Sequence, residues 1–228
     1  MRKIILFLLF ITMLQSCEKE VQFNNPAMQS RIDSDFWKAN QISASKNSSG
    51  GVTITGVGAT GNMVLKTSSL AKGVYTLGTT NTQNFASFTL LNNTNSFNCV
   101  TNPFLAPVNK VRILSGGTGY SDSLLVSTTG GTGFGLKVSI STSNGVVTTA
   151  TANIPGDGYF PGDVVTVSAG GSNANLLVEN TSLSNGTIEI TEYDGVTISG
   201  NFKFTAYDEL VDKIAIVRDG VFYKVPVN

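Results

Sequence analysis

Apolar residues in this chain recur at every second position, and glycine or an Asx-Gly pair closes most of those runs. A period of two belongs to strands with one buried face, whereas an amphipathic helix needs 3.6. Val52 and Ile54 alternate with threonines, and Met63-Val64-Leu65, Gly73 to Leu77 and Phe85 to Leu91 read as further strands. Near the C-terminus, Ile188 and Ile190 alternate with Glu189 and Thr191. Tyr193-Asp194-Gly195 then predicts a turn into a strand carrying Val196, Ile198, Phe202 and Phe204. Asp-Gly between alternating runs signals a type I′ hairpin, because both central residues need positive φ. The same reasoning places a hairpin at Asp219-Gly220, joining Lys213–Val217 to Val221–Val225, and turns at Asn144-Gly145 and Asn185-Gly186. No amphipathic helix of ten residues stands out. The expected fold is all-β, an antiparallel β-sandwich or open barrel, with one face apolar and a Ser/Thr/Asn face in water.

An internal repeat lies in the middle. Ile113 to Tyr120 reads as strand plus Gly117-Thr118-Gly119-Tyr120, followed by Ser123 to Ser127 and Gly130-Gly131. Asn153 to Tyr159 repeats this 39 residues on with Gly156-Asp157-Gly158-Tyr159, then Asp163 to Ser168 and Gly170-Gly171. The Gly-x-Gly-Tyr pattern resembles short β-repeats of phage tail fibres and bacterial surface proteins, in which the tyrosine packs over the glycine turn. No strand-then-helix context surrounds these glycines, so a nucleotide loop is not expected.

The N-terminus reads as an export signal. Arg2 and Lys3 precede an apolar run from Ile4 to Ile11, which is about half the ~20 residues needed to span a bilayer. Leu14-Gln15-Ser16-Cys17 resembles the bacterial lipobox. That resemblance implies cleavage after Ser16 and lipidation of Cys17, with two or three acyl chains giving durable attachment where one is marginal. Acidic residues just after the cysteine, here Glu18-Lys19-Glu20, resemble a surface-export signal of the Bacteroidetes.

Composition narrows the chemistry. The chain has 15 basic and 15 acidic residues and no histidine. Loss of Arg2 and Lys3 with the leader leaves a net charge of about −2, without the basic face that nucleic acid demands. Lack of histidine removes the commonest metal ligand and acid–base group. Charged residues are 13% of the chain against a usual ~25%, so polarity rests on Ser, Thr, Asn and Gly. With Cys17 lipidated, Cys99 stands alone and is expected to be a buried apolar residue. No cofactor, metal or catalytic function is expected.

Candidate ligand-binding residues are Tyr120, Tyr159, Asp157 and Asp163 at the repeat turns. The acids, with Asp122, could offer oxygen to Ca²⁺, but a turn role suits them better. Trp37 and Phe160 complete the set of candidate aromatic platforms, with Trp37 assigned to the core and the two tyrosines to their own turns. Glu189, Glu192, Asp194, Asp208 and Glu209 match no hydrolytic motif. Asp122-Ser123-Leu124 resembles a Bacteroidetes O-glycosylation site.

Flanking the repeat, Phe36-Trp37-Lys38-Ala39, Val52 to Gly56, Lys72 to Leu77, Gly186 to Asp194, Ile198 to Phe204 and Asp219 to Phe222 follow one order of motifs. Together they resemble a family of uncharacterised Bacteroidetes all-β lipoproteins. The expected organisation is a signal peptide over 1–16, a lipidated tether over 17–30, a host β domain over 31–104 plus 181–228, and an inserted β-repeat module over 105–180. The expected function is a lipid-anchored outer-membrane or cell-surface protein, a non-catalytic binding or adhesion module for a glycan or surface protein. The alternatives are a glycan-binding accessory lipoprotein of a polysaccharide-uptake system and a structural envelope lipoprotein.

Overall fold

The computed structural model describes residues 25–91 and 96–228, and among the described residues alternation is realised as sixteen strands and no helix. The predicted signal peptide and Cys17 lie outside the described residues.

Ten strands make the first sheet: β1 (Ala27–Ile32), β2 (Asp35–Lys46), β3 (Val52–Gly58), β4 (Gly61–Thr67), β5 (Gly73–Leu77), β6 (Phe85–Leu90), β7 (Phe97–Val100), β14 (Asn185–Tyr193), β15 (Thr197–Asp208) and β16 (Lys213–Pro226). The other six are β8 (Val108–Ser115), β9 (Ser123–Gly130), β10 (Lys137–Ser143), β11 (Val146–Ile154), β12 (Val164–Val167) and β13 (Asn175–Thr181).

The first sheet runs β16-β1-β2-β3-β4-β6-β7-β15-β14-β5, and β15 also pairs with β16. That last ladder returns the sheet to its start and closes a barrel. Closure at β7 is narrow, through Tyr207 opposite Val100, while β14 occupies the rest of that β15 edge. Burial follows the pleat: β3 turns Val52 and Ile54 inward, and β4 turns in Met63 and Leu65. Phe88, Phe202, Phe204 and Phe222 fill the interior.

The second sheet, β11-β10-β9-β12-β13-β8, curls until its ends meet. Val147 N–H donates to Gly116 O at 2.9 Å and Tyr120 N–H to Gly145 O at 3.0 Å. Its core contains Val111, Val126, Val138, Ile140, Val165, Leu176 and Val178. The 39-residue repeat places β8 in correspondence with β11, β9 with β12 and β10 with β13. Ladder β8–β13 then matches β11–β10, and β9–β12 matches itself. The six strands therefore carry an internal pseudo-twofold. The chain enters and leaves this barrel side by side, with Ser182 N–H bonded to Pro107 O at 2.8 Å and Thr181 Oγ1 to Phe104 O at 3.1 Å.

Four local expectations change. The tether predicted to reach Ser30 ends earlier, because Ala27, Met28 and Ser30 are buried in β1 between β16 and β2. Asp194-Gly195 is not a two-residue type I′ turn. Tyr193 pairs with Ile198, leaving a four-residue loop in which Gly195 but not Asp194 has positive φ. Asp194 Oδ1 accepts Val196 N–H at 2.8 Å and Thr197 N–H at 2.6 Å, and Asp194 Oδ2 accepts the Thr197 hydroxyl at 2.8 Å. Bonds from Thr197 N–H, Val196 N–H and the Thr197 hydroxyl hold its carboxyl below the usual range.

Asp219-Gly220 is no hairpin either. Residues 213–226 are one strand, and Asp219 (φ 52°) sits in a β-bulge where Phe202 pairs with Gly220 but Phe204 with Val217. The actual hairpin is at 209–212. Asn185-Gly186 opens β14, while the turn precedes it at 182–184, capped by Asn185 Nδ2 bonds to Thr181 O and Ser182 O. Asn144-Gly145 does form the two-residue turn, with φ 50° and 76° between Ser143 and Val146.

Candidate functional site

The repeat turns come first because sequence reasoning pointed to them. Tyr120 and Tyr159 are 5% and 1% exposed, so neither offers an open ring face. A Cβ on Gly117 would meet Tyr120 Cε2 at 2.8 Å, and one on Gly156 would meet Tyr159 Cε2 at 2.9 Å. Each ring therefore covers its own turn. Each also reaches the other unit: a Cβ on Gly170 would stand 2.9 Å from the Tyr120 ring, and one on Gly133 2.5 Å from Tyr159. The two units lock reciprocally through their tyrosines.

Asp163 Oδ2 accepts bonds from Thr132 N–H (3.0 Å), Thr132 Oγ1 (2.7 Å) and Phe160 N–H (2.9 Å). Burial raises its pKa, but the bonds from Phe160 and Thr132 outweigh that and hold it below the usual carboxylate value. Asp157 Oδ1 takes Gly158 N–H at 2.8 Å, and Asp122 Oδ1 takes Thr142 N–H at 2.7 Å. These oxygens organise turns. Among the described residues no cluster of three His, Cys, Asp or Glu could hold a metal ion. Phe134, 73% exposed, and the partly exposed Phe160 lie at the second-unit turn.

A concavity with a volume of about 440 Å³ lies at one end of the first barrel. That falls in the ~300–1,000 Å³ range of small-molecule sites, and barrel mouths are common places for them. Trp37 of β2 and Phe88 of β6 meet edge to face at 6.4 Å, and Phe88 meets Phe97 of β7 at 6.2 Å. Ile32 and Leu90 complete the apolar lining, and Phe36 stands at the lip, 63% exposed.

The indole is fixed in place. A Cβ on Gly58 would lie 2.4 Å from Trp37 Nε1, and one on Gly56 2.8 Å from Trp37 Cη2. Glycine at both positions lets β3 approach the ring face. Trp37 Nε1 donates to Gly61 O at 3.0 Å, so its polar atom is satisfied within the wall. Trp37 is thus both core, as expected, and part of the cavity lining.

Charged groups at this mouth are Asp33, Asp35 and Lys213. Asp33 Oδ1 accepts Ile216 N–H at 3.1 Å, while Lys213 Nζ lies 5.7 Å from the Phe97 ring centre. Beneath Lys213, Cys99 is fully buried, as expected, and its thiol donates to Lys213 O at 3.2 Å. Burial first, then the Asp208 charge, pushes that thiol up to about 11, which keeps it protonated and unreactive. Phe36, Phe88, Phe97, Asp35 and Lys213 escaped sequence reasoning, since only pairing of β1, β2, β6, β7 and β16 assembles them.

A second hollow, about 390 Å³, lies on the outer face beside the Asp219 bulge and holds Glu189, Lys203 and Asp219. A third, about 320 Å³, lies between the barrels. The remaining carboxylates are dispersed: Asp208 accepts Asn98 N–H at 2.7 Å and Leu210 N–H at 3.0 Å, far from the Asp194 loop.

A family described as "Domain of unknown function (DUF6252)" matches residues 24–119 and 120–226. The two stretches meet at Gly119 and Tyr120, in the turn between β8 and β9. No curated protein and no solved structure matches the chain.

Proposed function

Because the chain belongs to the DUF6252 family, whose description assigns no activity, we propose a function from its own residues. The protein is a lipoprotein of Bacteroidetes type, anchored to the outer membrane through Cys17, and it acts as a non-catalytic binding module. Its ligand occupies the barrel mouth. The aromatic-lined cavity at Trp37, Phe88 and Phe97, with Phe36 exposed at its lip, carries this reading, since concave apolar hollows of this size are where small ligands bind. The leader, Leu14-Gln15-Ser16-Cys17 and the acidic residues after it support the anchor and the compartment. In this reading the Gly-x-Gly-Tyr units act as a structural repeat.

The alternative, a glycan-binding accessory lipoprotein, draws support from the polar lining of the hollow between the barrels.

Binding of the whole chain to an array of glycans and extracellular matrix proteins tests the proposal, beside a Phe36→Asp variant. The expected result is retention of at least one class by the wild type and its loss in the variant. No retention, or retention unaffected by the variant, refutes binding at the mouth. Intact mass of protein from its native host tests the anchor: acyl chains on Cys17 are expected, and an unmodified N-terminus contradicts it.

A further inference from the structure

The hollow between the barrels has two unlike walls. The first barrel contributes Val74 and Thr76 of β5 and the stretch after it, with Thr79, Thr80, Asn81 and Asn84. The second contributes Arg112 of β8 and Leu177 and Glu179 of β13. Arg112 sits opposite Leu177 in the ladder, and Glu179 lies two residues along the same face. The spacing between walls is fixed. Asn180 Nδ2 donates to Leu77 O at 3.2 Å in a buried bond, and Asn109 Nδ2 donates to Asn180 Oδ1 at 2.8 Å.

The polar groups of these walls differ in how far they are already engaged. Glu179 Oε2 pairs with Lys110 Nζ at 3.0 Å, which orients its carboxylate. Asn84 is buried, and its Oδ1 accepts Ser68 N–H at 2.8 Å, which fixes the amide and leaves Nδ2 as a donor without a partner among the described residues. Arg112 makes no hydrogen bond or ion pair among the described residues. An exposed arginine is ordinarily just solvated. Here it stands in a concave wall, facing hydroxyls and amides, in a chain with few charges.

Arginine presents a planar fork of donors that matches a carboxylate. Threonine hydroxyls, the asparagine amide and Glu179 match sugar hydroxyls, which both donate and accept. Exposed Val74 and half-buried Leu177 offer apolar contact for the C–H face of a ring. We propose that the cleft between the two barrels is a binding site for a carboxylated sugar, a hexuronic acid unit, with its carboxylate on Arg112 and its hydroxyls on Glu179, Asn84 and the facing threonines. Trp37 and the barrel mouth take no part, so the site stands or falls independently of the barrel-mouth reading, while it deepens the glycan-binding alternative that rests on the same hollow.

Calorimetric titration of the whole chain with galacturonate and glucuronate tests it, with galactose, glucose, acetate and sulfate as controls at matched ionic strength. Saturable binding of a uronate is expected, about tenfold or more tighter than the neutral sugars and the simple anions. Arg112→Gln should weaken it about tenfold or more, and Thr80→Val on the opposite wall should weaken it several-fold. Both variants should keep the wild-type circular dichroism spectrum, since both residues are exposed. No uronate binding at millimolar concentrations overturns the proposal. So does binding that acetate or sulfate equals, that neutral sugars equal, or that Arg112→Gln leaves unchanged.

Discussion

Tyr120→Phe and Tyr159→Phe remove the same atom from equivalent places in the two repeat units, yet their costs should differ widely. The Tyr120 hydroxyl accepts Asn173 N–H at 2.9 Å and Ala174 N–H at 2.8 Å and donates to Val167 O at 3.3 Å. Ala174 is fully buried, so its amide cannot recover a partner from water, whereas the exposed Asn173 can. An orphaned buried donor costs about 1–3 kcal/mol and a lost ordinary bond about 1 kcal/mol, which sets the Tyr120→Phe loss at about 2–4 kcal/mol. The Tyr159 hydroxyl has no hydrogen bond among the described residues. Its ring supplies the packing over Gly133 and Gly156, and Tyr159→Phe keeps that ring, so its cost should stay below about 0.5 kcal/mol. Hydrogen exchange across 168–180 reads the difference directly, with Tyr120→Phe raising exchange roughly 30- to 900-fold when exchange follows opening of this barrel. Urea unfolding followed by circular dichroism gives a second measure. Equal effects of the two substitutions, or a Tyr120→Phe loss below 0.5 kcal/mol, would refute the assignment of the hydroxyl as the cap on strand β13.

Gly220→Ala should cost about 2–3 kcal/mol, because its Cβ would meet the Phe202 ring at 2.4 Å and backbone at 2.5 Å; an unchanged urea midpoint would contradict the tight bulge. Asp163 has a lowered pKa, so it stabilises the fold above its unfolded value near ~3.9, and that contribution is lost as pH falls through the lower folded value. Acid titration should therefore loosen the Thr132–Phe160 turn in the wild type, and Asp163→Asn should flatten that dependence. The Cys99 thiol is raised to about 11, so the folded state keeps its proton where the unfolded chain has lost it. Stability should fall between about pH 8.5 and 11, and Cys99→Ala should remove that slope. At pH 8, alkylation of Cys99 should require denaturant.

What the sequence made legible was local. The alternation of Val52 and Ile54 falls in β3, Gly73–Leu77 is β5 residue for residue, and Asn144-Gly145 forms its turn. Asp219-Gly220 shows the limit, because positive φ serves a hairpin turn and a bulge equally. The partners decide: β16 is held along its length by β15 and near its middle by β1, so the chain runs straight through. Barrel closure likewise depends on Ala27–Ile32 meeting residues about 190 positions away, which no local pattern encodes. The tyrosines of the repeat were legible as turn covers, but their reach into the opposite unit depends on the pseudo-twofold. The mouth and the interbarrel cleft are products of such distant pairing. Phe36 beside Trp37 was the one adjacent signal, an aromatic left on the outer phase of a strand whose next residue points inward.

Trp37 is the chain's single tryptophan and lines the mouth, so a dye bound there lies beside the donor, and variants of the mouth tell that site from any other. The decisive measurement is energy transfer from Trp37 to anilinonaphthalene sulfonate, titrated into the whole folded chain and into Phe36→Asp and Phe97→Asp variants. The account predicts saturable one-site transfer in the wild type and its loss in both variants while each keeps the wild-type circular dichroism spectrum. Absence of saturable transfer, or transfer that both variants retain, would contradict a ligand site at the barrel mouth.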